Sequence, residues 1–187
     1  MKLLGDWLRE VAAREGDRDA FVSFPSGRAP QDPRRITYAE WDRRSDAIAA
    51  GLAALGLGRG DVLALLLPPR PEYAFCYLGA AKIGVVTTGV NPRFGEAEID
   101  AILRASGARV LVAIASHGGR DLAAVARRVG ARLPALDHVF LVADADGEAV
   151  DASREVVSTP ARSCSRDASV RVPETAPFAA LEARGGG

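Results

Sequence analysis

The chain has 187 residues, and its 24 Lys+Arg balance 24 Asp+Glu, so the formal net charge is zero. With 48% apolar and 26% charged residues it has the composition of an ordinary folded domain and not of a disordered chain. Zero net charge gives no electrostatic drive toward nucleic acid, which is excluded as a partner, or toward an anionic membrane.

Every basic residue except Lys2 and Lys82 is arginine. Cys76 and Cys164 are too far apart in sequence for a CxxC motif, which argues against a cysteine-based zinc site or a disulfide framework and for a reducing compartment. No apolar run approaches the ~20 residues of a membrane helix. The N-terminus starts like an export signal but carries Asp6, Arg9 and Glu10 within the apolar stretch. A cytoplasmic protein without a transmembrane segment is the expectation.

In chain order, residues 3–15 place Leu3, Leu4, Trp7, Leu8 and Val11 on one helical face. A short strand follows at 20–24, then a turn-rich loop from Pro25 to Pro33. Thr37 and Glu40 write a T-x-x-E capping box, with Ile36 and Trp41 as its hydrophobic staple. Tyr38, Trp41, Ser45, Ile48, Leu52 and Leu55 then form a helical stripe that Gly56 and Gly58 terminate.

The unbroken apolar run Val62–Leu67 predicts a strand buried on both faces. Pro71 suits the first position of a helix over 72–83, apolar almost all round and expected to be largely buried. Lys82 would sit in its last turn, where a cation answers the helix dipole. A strand at 85–88, a helix over Glu96–Ser106, a strand at 109–115, a helix over 120–131 and a strand at 138–142 complete the series. This alternation predicts an α/β fold with a mainly parallel sheet flanked by helices, and a lobe spanning residues 1–142. Residues 143–187 lose the periodicity and read as a poorly ordered tail or the start of a second half. Only 177–184 in that stretch resembles a short helix.

Few residues suggest chemistry. Gly56-x-Gly58-x-Gly60-Asp61 has the glycine spacing of a phosphate loop, but helix precedes it and strand follows, the reverse of what aims helix N–H groups at an anion. A helix stop and tight turn account for it. Ser116-His117-Gly118-Gly119 does lie between a strand and a helix, where a His-Gly-Gly loop can serve as an oxyanion hole. The G-x-S-x-G elbow of such an esterase is missing, which favours an ordinary loop. His138 reads as structural. Asp42, Asp46, Glu96, Glu98 and Asp100 fall on helix exteriors or first turns, where acidic residues are favoured. No catalytic, cofactor-binding or metal-ligating residue is assigned on these grounds.

Several segments together resemble one family. Ile36-Thr37-Tyr38-Ala39-Glu40-Trp41 is similar to the "(L/I)-T-Y-x-E-L" start of the adenylate-forming enzymes. Residues 60–68 resemble their "GDxVAhhhPN" strand, with h for an apolar residue. Tyr77–Val86, followed by Asn91-Pro92-Arg93-Phe94, resembles the "hLGxxKhGAVxxPhNPRhxxxEL" motif of the acyl-CoA synthetase branch. Residues 99–112 resemble "EhxxhLxxSxAKhLh".

The resemblance runs in order over residues 1–142 and implies the N-terminal lobe of an AMP-dependent acyl-CoA synthetase. Such an enzyme activates a carboxylic or fatty acid with ATP and magnesium to an acyl-adenylate, then forms a thioester with coenzyme A. The family's phosphate loop, "T-S-G-T-T-G-x-P-K", its magnesium-binding glutamate and its catalytic lysine have no counterparts in this chain, and Thr87-Thr88-Gly89-Val90 replaces a proline-containing stretch. The resemblance therefore implies an N-terminal fragment inactive by itself. A non-catalytic binding or assembly module derived from that lobe is the alternative, and an unrelated small α/β enzyme using the 116–119 loop is a third. An unpaired sheet edge and an exposed apolar face are expected, with self-association through that face.

Overall fold

A computed structural model of the chain describes residues 3–24, 33–143 and 174–185. Helix α1 (Leu4–Glu15) leads into a bulged antiparallel hairpin, β1 (Asp19–Ser23) with β2 (Arg34–Thr37), and then helix α2 (Tyr38–Ala54). The parallel part follows as β3 (Val62–Leu66), α3 (Pro71–Lys82), β4 (Val86–Gly89), α4 (Glu96–Ser106) and β5 (Val110–Ile114). A two-residue-strand hairpin, β6 (Ser116–His117) with β7 (Arg120–Asp121), precedes α5 (Leu122–Gly130) and β8 (His138–Val142). Strand β9 (Glu174–Pro177) and helix α6 (Phe178–Ala183) complete the described chain.

The main sheet has the order β4-β3-β5-β8-β9, and every adjacent pair is parallel. Leu63 to Leu66 of β3 and all of β5 are buried, as continuous apolar runs between helices require. The connection through α3 runs from β3 outward to β4, whereas α4 and α5 lead the chain the other way, to β5 and β8. Right-handed crossovers then place α3 on one face and α4 with α5 on the other. Helices α1, α2 and α6 join α3.

The expected boundaries hold for α4, whose last residue is followed by Gly107 in the left-handed conformation (φ +65°). For α2 the stop is Gly56 (φ +77°), and Gly58 has no positive φ. Thr37 Oγ1 accepts the Glu40 N–H at 3.1 Å, the forward half of the capping box. The Glu40 carboxylate turns instead toward Arg44, 3.8 Å away. Helix α5 starts later than its periodicity suggests, because Arg120 and Asp121 pair back onto β6 and Asp121 becomes the N-cap.

Three sequence readings need correction. Leu8 and Val11 of α1 are buried, but Leu3, Leu4 and Trp7 are exposed, since α1 lies on its neighbours along a narrow strip. Tyr77 of α3 is likewise exposed, so α3 keeps a wet side. A strand also stands where none was expected, because residues 174–177 add β9 to the sheet and α6 then buries Phe178 and Leu181. Residues 25–32 of the turn-rich loop and 144–173 of the expected tail lie outside the described residues.

Candidate functional site

In an open parallel sheet, the place for a ligand is the crevice beyond the strand C-termini where the winding direction reverses. Here that point lies between β3 and β5. The chain leaving β3 runs through Pro68, Pro69 and Arg70 into α3, and the chain leaving β5 enters the β6–β7 hairpin.

The crevice holds a charged cluster around the buried Glu72. Glu72, in the first turn of α3, accepts from Arg70 Nε at 2.6 Å and from Arg34 Nη1 of β2 at 3.1 Å. Arg70 Nη1 reaches on to the Ala143 carbonyl oxygen at 3.2 Å, just past β8. The guanidinium thus ties the end of β3 to the end of β8 across the intervening β5. Burial pushes the Glu72 carboxyl up, but the charges and hydrogen bonds of Arg70, with Arg34, outweigh it and hold the group below the ordinary glutamate range.

A pH dependence follows. The stabilisation from a depressed carboxyl is fully present above its unfolded value, about 4.3, and drains away as pH falls through the folded value. Acidification from about pH 6 to about pH 3 should therefore cost the native protein more stability than it costs Glu72→Gln. Chemical denaturation midpoints at the two pH values measure the difference, and equal losses would show that Glu72 does not carry it.

Three strand-to-helix junctions of the parallel part are partly engaged by the lobe's own groups. The α4 N-terminus is closed by Glu98, whose Oε2 accepts the Gly95 N–H at 2.7 Å, and α5 by Asp121, whose Oδ1 accepts the Ala124 N–H at 2.8 Å. Helix α3 begins with Pro71, which has no N–H, and presents the Glu72 carboxylate. Anion binding at a helix start needs free N–H groups, and these contacts take up part of that donor set. Among the described residues no group of three or more His, Cys, Asp or Glu is arranged to hold a metal ion.

The residues singled out by sequence have other work. Gly58 and Asp61 close a turn on themselves: Asp61 Oδ2 accepts the Gly58 N–H at 2.9 Å, and Arg109 stands 3.2 Å away. The Gly58 hydrogen bond and Arg109 hold the Asp61 carboxyl low. This turn is at the N-terminal end of β3, opposite the crevice.

Gly118 and Gly119 both have positive φ (+57° and +75°), the backbone of a type I′ hairpin turn, so His117 belongs to a two-residue strand. His138 begins β8, at the far end of the sheet from His117. Glu96 pairs with Arg128 of α5 and with Arg132 just past that helix, and Asp100 with Arg104. Asp42 and Asp46 converge on the buried Lys82 ammonium, which is held by ion pairs and not merely set against the helix dipole. Cys76 is buried, and that burial pushes its thiol far up, away from reactivity.

The Arg34–Glu72–Arg70 cluster escaped the sequence reading, for Arg34 and Glu72 meet only through tertiary structure. Glu72 just after Pro71 was the one available signal. Also unread was a groove of about 410 Å³ walled by Leu4, Trp7 and Leu8 of α1, Trp41 of α2, and Tyr73 and Tyr77 of α3. The Trp41 indole N–H is spent on the Ala74 carbonyl oxygen at 3.1 Å.

Comparison with known proteins places this architecture. A family model described as AMP-binding enzyme matches residues 8–178. Over 100 residues, 54% of this chain and 17% of the relative, the sequence is 46% identical to 4-coumarate–CoA ligase 3 of Oryza sativa subsp. japonica. Over 112 residues, 60% of this chain and 21% of the relative, it is 35% identical to the long-chain-fatty-acid–CoA ligase FadD13 of Mycobacterium tuberculosis. A solved Mycobacterium tuberculosis fatty acyl CoA synthetase superposes with a TM-score of 0.63 at 31% identity, covering 74% of this chain and 26% of that one. The chain thus spans about a fifth of the length of these curated relatives.

Proposed function

Since the chain belongs to the AMP-binding enzyme family, we propose that it furnishes the N-terminal lobe of an AMP-dependent acyl-CoA ligase and does not form acyl-adenylate by itself. The reaction of that ligase is ATP-dependent activation of a carboxylic or fatty acid, followed by transfer to coenzyme A, in the cytoplasm. The two relatives described above bear CoA-ligase names and match this lobe, which supports the reaction class. Among the described residues no helix is long and apolar enough to cross a membrane.

One observation supports the inactivity: at three strand-to-helix junctions the lobe's own Glu98, Asp121 and Pro71 take up or remove an N–H that a phosphate would use. Adenylation needs ATP gripped at its phosphates with a carboxylate held in line, and positioning with charge stabilisation supplies most of the acceleration. Donors already bonded within the lobe cannot supply that grip. The chain's own residues contribute a rigid parallel sheet, and Arg70 and Glu72 fix the crevice at its strand ends.

The alternative, a non-catalytic assembly module, is favoured by the apolar groove, whose walls leave Trp7 46% and Tyr77 47% exposed. Self-association belongs to both readings. The deciding experiment follows pyrophosphate release from purified protein with ATP, magnesium, coenzyme A and a panel of fatty and aromatic acids. No acid-dependent release above a no-enzyme control is expected. Turnover would overturn the reading.

A further inference from the structure

We propose that the rim of the crevice carries a phosphate-binding site made of side chains: Arg120 and His117 of the β6–β7 hairpin, with Arg93 of the loop between β4 and α4. No part of this depends on the reading of the lobe as part of a ligase.

The Arg120 guanidinium reaches from the hairpin to that loop. Its Nη1 donates to the Pro92 carbonyl oxygen and its Nη2 to that of Phe94, each at 2.8 Å. Both acceptors are neutral, and among the described residues no carboxylate pairs with Arg120. A guanidinium has five N–H donors, and these bonds use two of them. Among the described residues Nε makes no bond, yet it is not buried. The group therefore keeps its charge and spare donors while two bonds already fix its conformation. Such a side chain loses little freedom when a ligand engages it.

Arg93 stands between the two residues whose carbonyls Arg120 holds, so the arginines are neighbours across the loop. Arg93 is exposed, and its own N–H donates to Asn91 Oδ1 at 2.9 Å, which shapes the turn. Among the described residues no carboxylate pairs with it either. His117 lies directly opposite Arg120 in the hairpin register, and residues so placed project to the same face. The carboxylates of the adjoining helix starts face other groups, Glu98 the Gly95 N–H and Asp121 the Ala124 N–H. Two neighbouring cations without a counter-ion repel each other, and an anion between them turns that repulsion into attraction.

The donors come from two elements, the hairpin on one side and the loop on the other, so the acceptor has to take bonds from several directions. A tetrahedral phosphate does so, and as a monoester it carries about −1.5 to −2 charges at pH 7. A carboxylate offers one charge and two oxygens in one plane. Arginine suits the task because its fork stays charged and matches phosphate oxygens in pairs.

Histidine NMR tests the site directly, because the chain has only two histidines. His138, at the start of β8 and the far end of the sheet, serves as the internal reference, and His117→Gln assigns the signals. Inorganic phosphate added to the full chain at constant pH and ionic strength should move the His117 imidazole signal along a saturating curve and leave that of His138 in place. Arg120→Gln should weaken binding by about tenfold or more, the loss of a charge-assisted hydrogen bond. Arg93→Gln, on an exposed residue, should also weaken it, and decides alone if far-UV circular dichroism shows that Arg120→Gln fails to fold. Glycerol phosphate, run beside inorganic phosphate, tells an esterified group from the free ion; saturation by either supports the site, and the tighter binder names the source. Acetate should give no saturating shift. The proposal is overturned if neither phosphate saturates, if both histidine signals move alike, if acetate matches phosphate, or if the curves are unchanged in the arginine variants.

Discussion

Ending the chain after Ala143 should remove a large fraction of its stability and turn an inert cysteine reactive. Residues 174–185 contribute a sheet strand against β8 and the buried side chains of Phe178 and Leu181. They also supply a two-pronged pair, Arg44 Nε and Nη2 to the Glu182 carboxylate at 2.8 and 3.0 Å. Burial of the two apolar side chains alone is worth about 3–6 kcal/mol, against a total of about 5–15 kcal/mol for a domain.

The contact between α6 and α2 is close enough to require glycine: a Cβ at Gly51 would stand 2.1 Å from the Leu181 carbonyl oxygen. Cys76 is buried within electrostatic reach of Glu182 and Arg44, and Arg44 lies 4.2 Å above the Phe75 ring. Losing α6 uncovers this region. In the shortened chain Cys76 is the single cysteine, so thiol labelling reports it directly, with Cys164→Ser in the full chain as the reference. The expected result is a much lower denaturation midpoint and rapid labelling. A midpoint unchanged at constant slope, with Cys76 still protected, would show that the lobe is complete without residues 174–185. Gly51→Leu should give a milder version of the same phenotype by displacing α6.

That dependence on residues 174–185 marks where sequence reading stops. Strands β3 and β5 are legible because a strand buried on both faces must be apolar throughout, and α4 because Glu96, Glu98 and Gly107 frame it. Strand β9 reads Glu-Thr-Ala-Pro, with no apolar run and a terminal proline; only its place beside β8 makes it a strand. The β6–β7 hairpin is too short to show alternation, and its two glycines are equally those of a loop.

Exposure has the same limit. Periodicity places Trp7 with Leu8 on one side of α1, but how wide a strip is covered depends on neighbours that a single helix does not encode. The crevice is legible only in outline: alternating strands and helices imply a switch point, yet the Arg34–Glu72–Arg70 cluster joins a hairpin to a helix 38 residues away in sequence. That the lobe's own carboxylates close its helix starts was readable only in part, at Glu98.

Lys82→Met should cost about 3 kcal/mol, the low end of what breaking a buried ion pair removes. The ammonium donates to Asp42 Oδ1 at 2.6 Å, to the Asp42 carbonyl oxygen at 3.0 Å and to Asp46 Oδ1 at 2.7 Å, so all three of its N–H bonds are spent. Its side chain is only 6% exposed, and α1 crosses directly over the stem: a Cβ at Gly5 would stand 2.9 Å from Lys82 Cγ. The cluster therefore pins α3 to α2 and sits under α1.

Methionine keeps the apolar stem but strands the Asp42 carboxylate, 15% exposed, without its cation. Asp46 is 49% exposed and retains Arg9 at 3.4 Å, which is why the low end of the range applies. If the stranded charge is the cause, removing it must restore stability. Lys82→Met combined with Asp42→Asn should then be more stable than the sum of the single effects, by about 1–2 kcal/mol of coupling. Additive losses in that double-mutant cycle would show that Lys82 matters only as packing under α1.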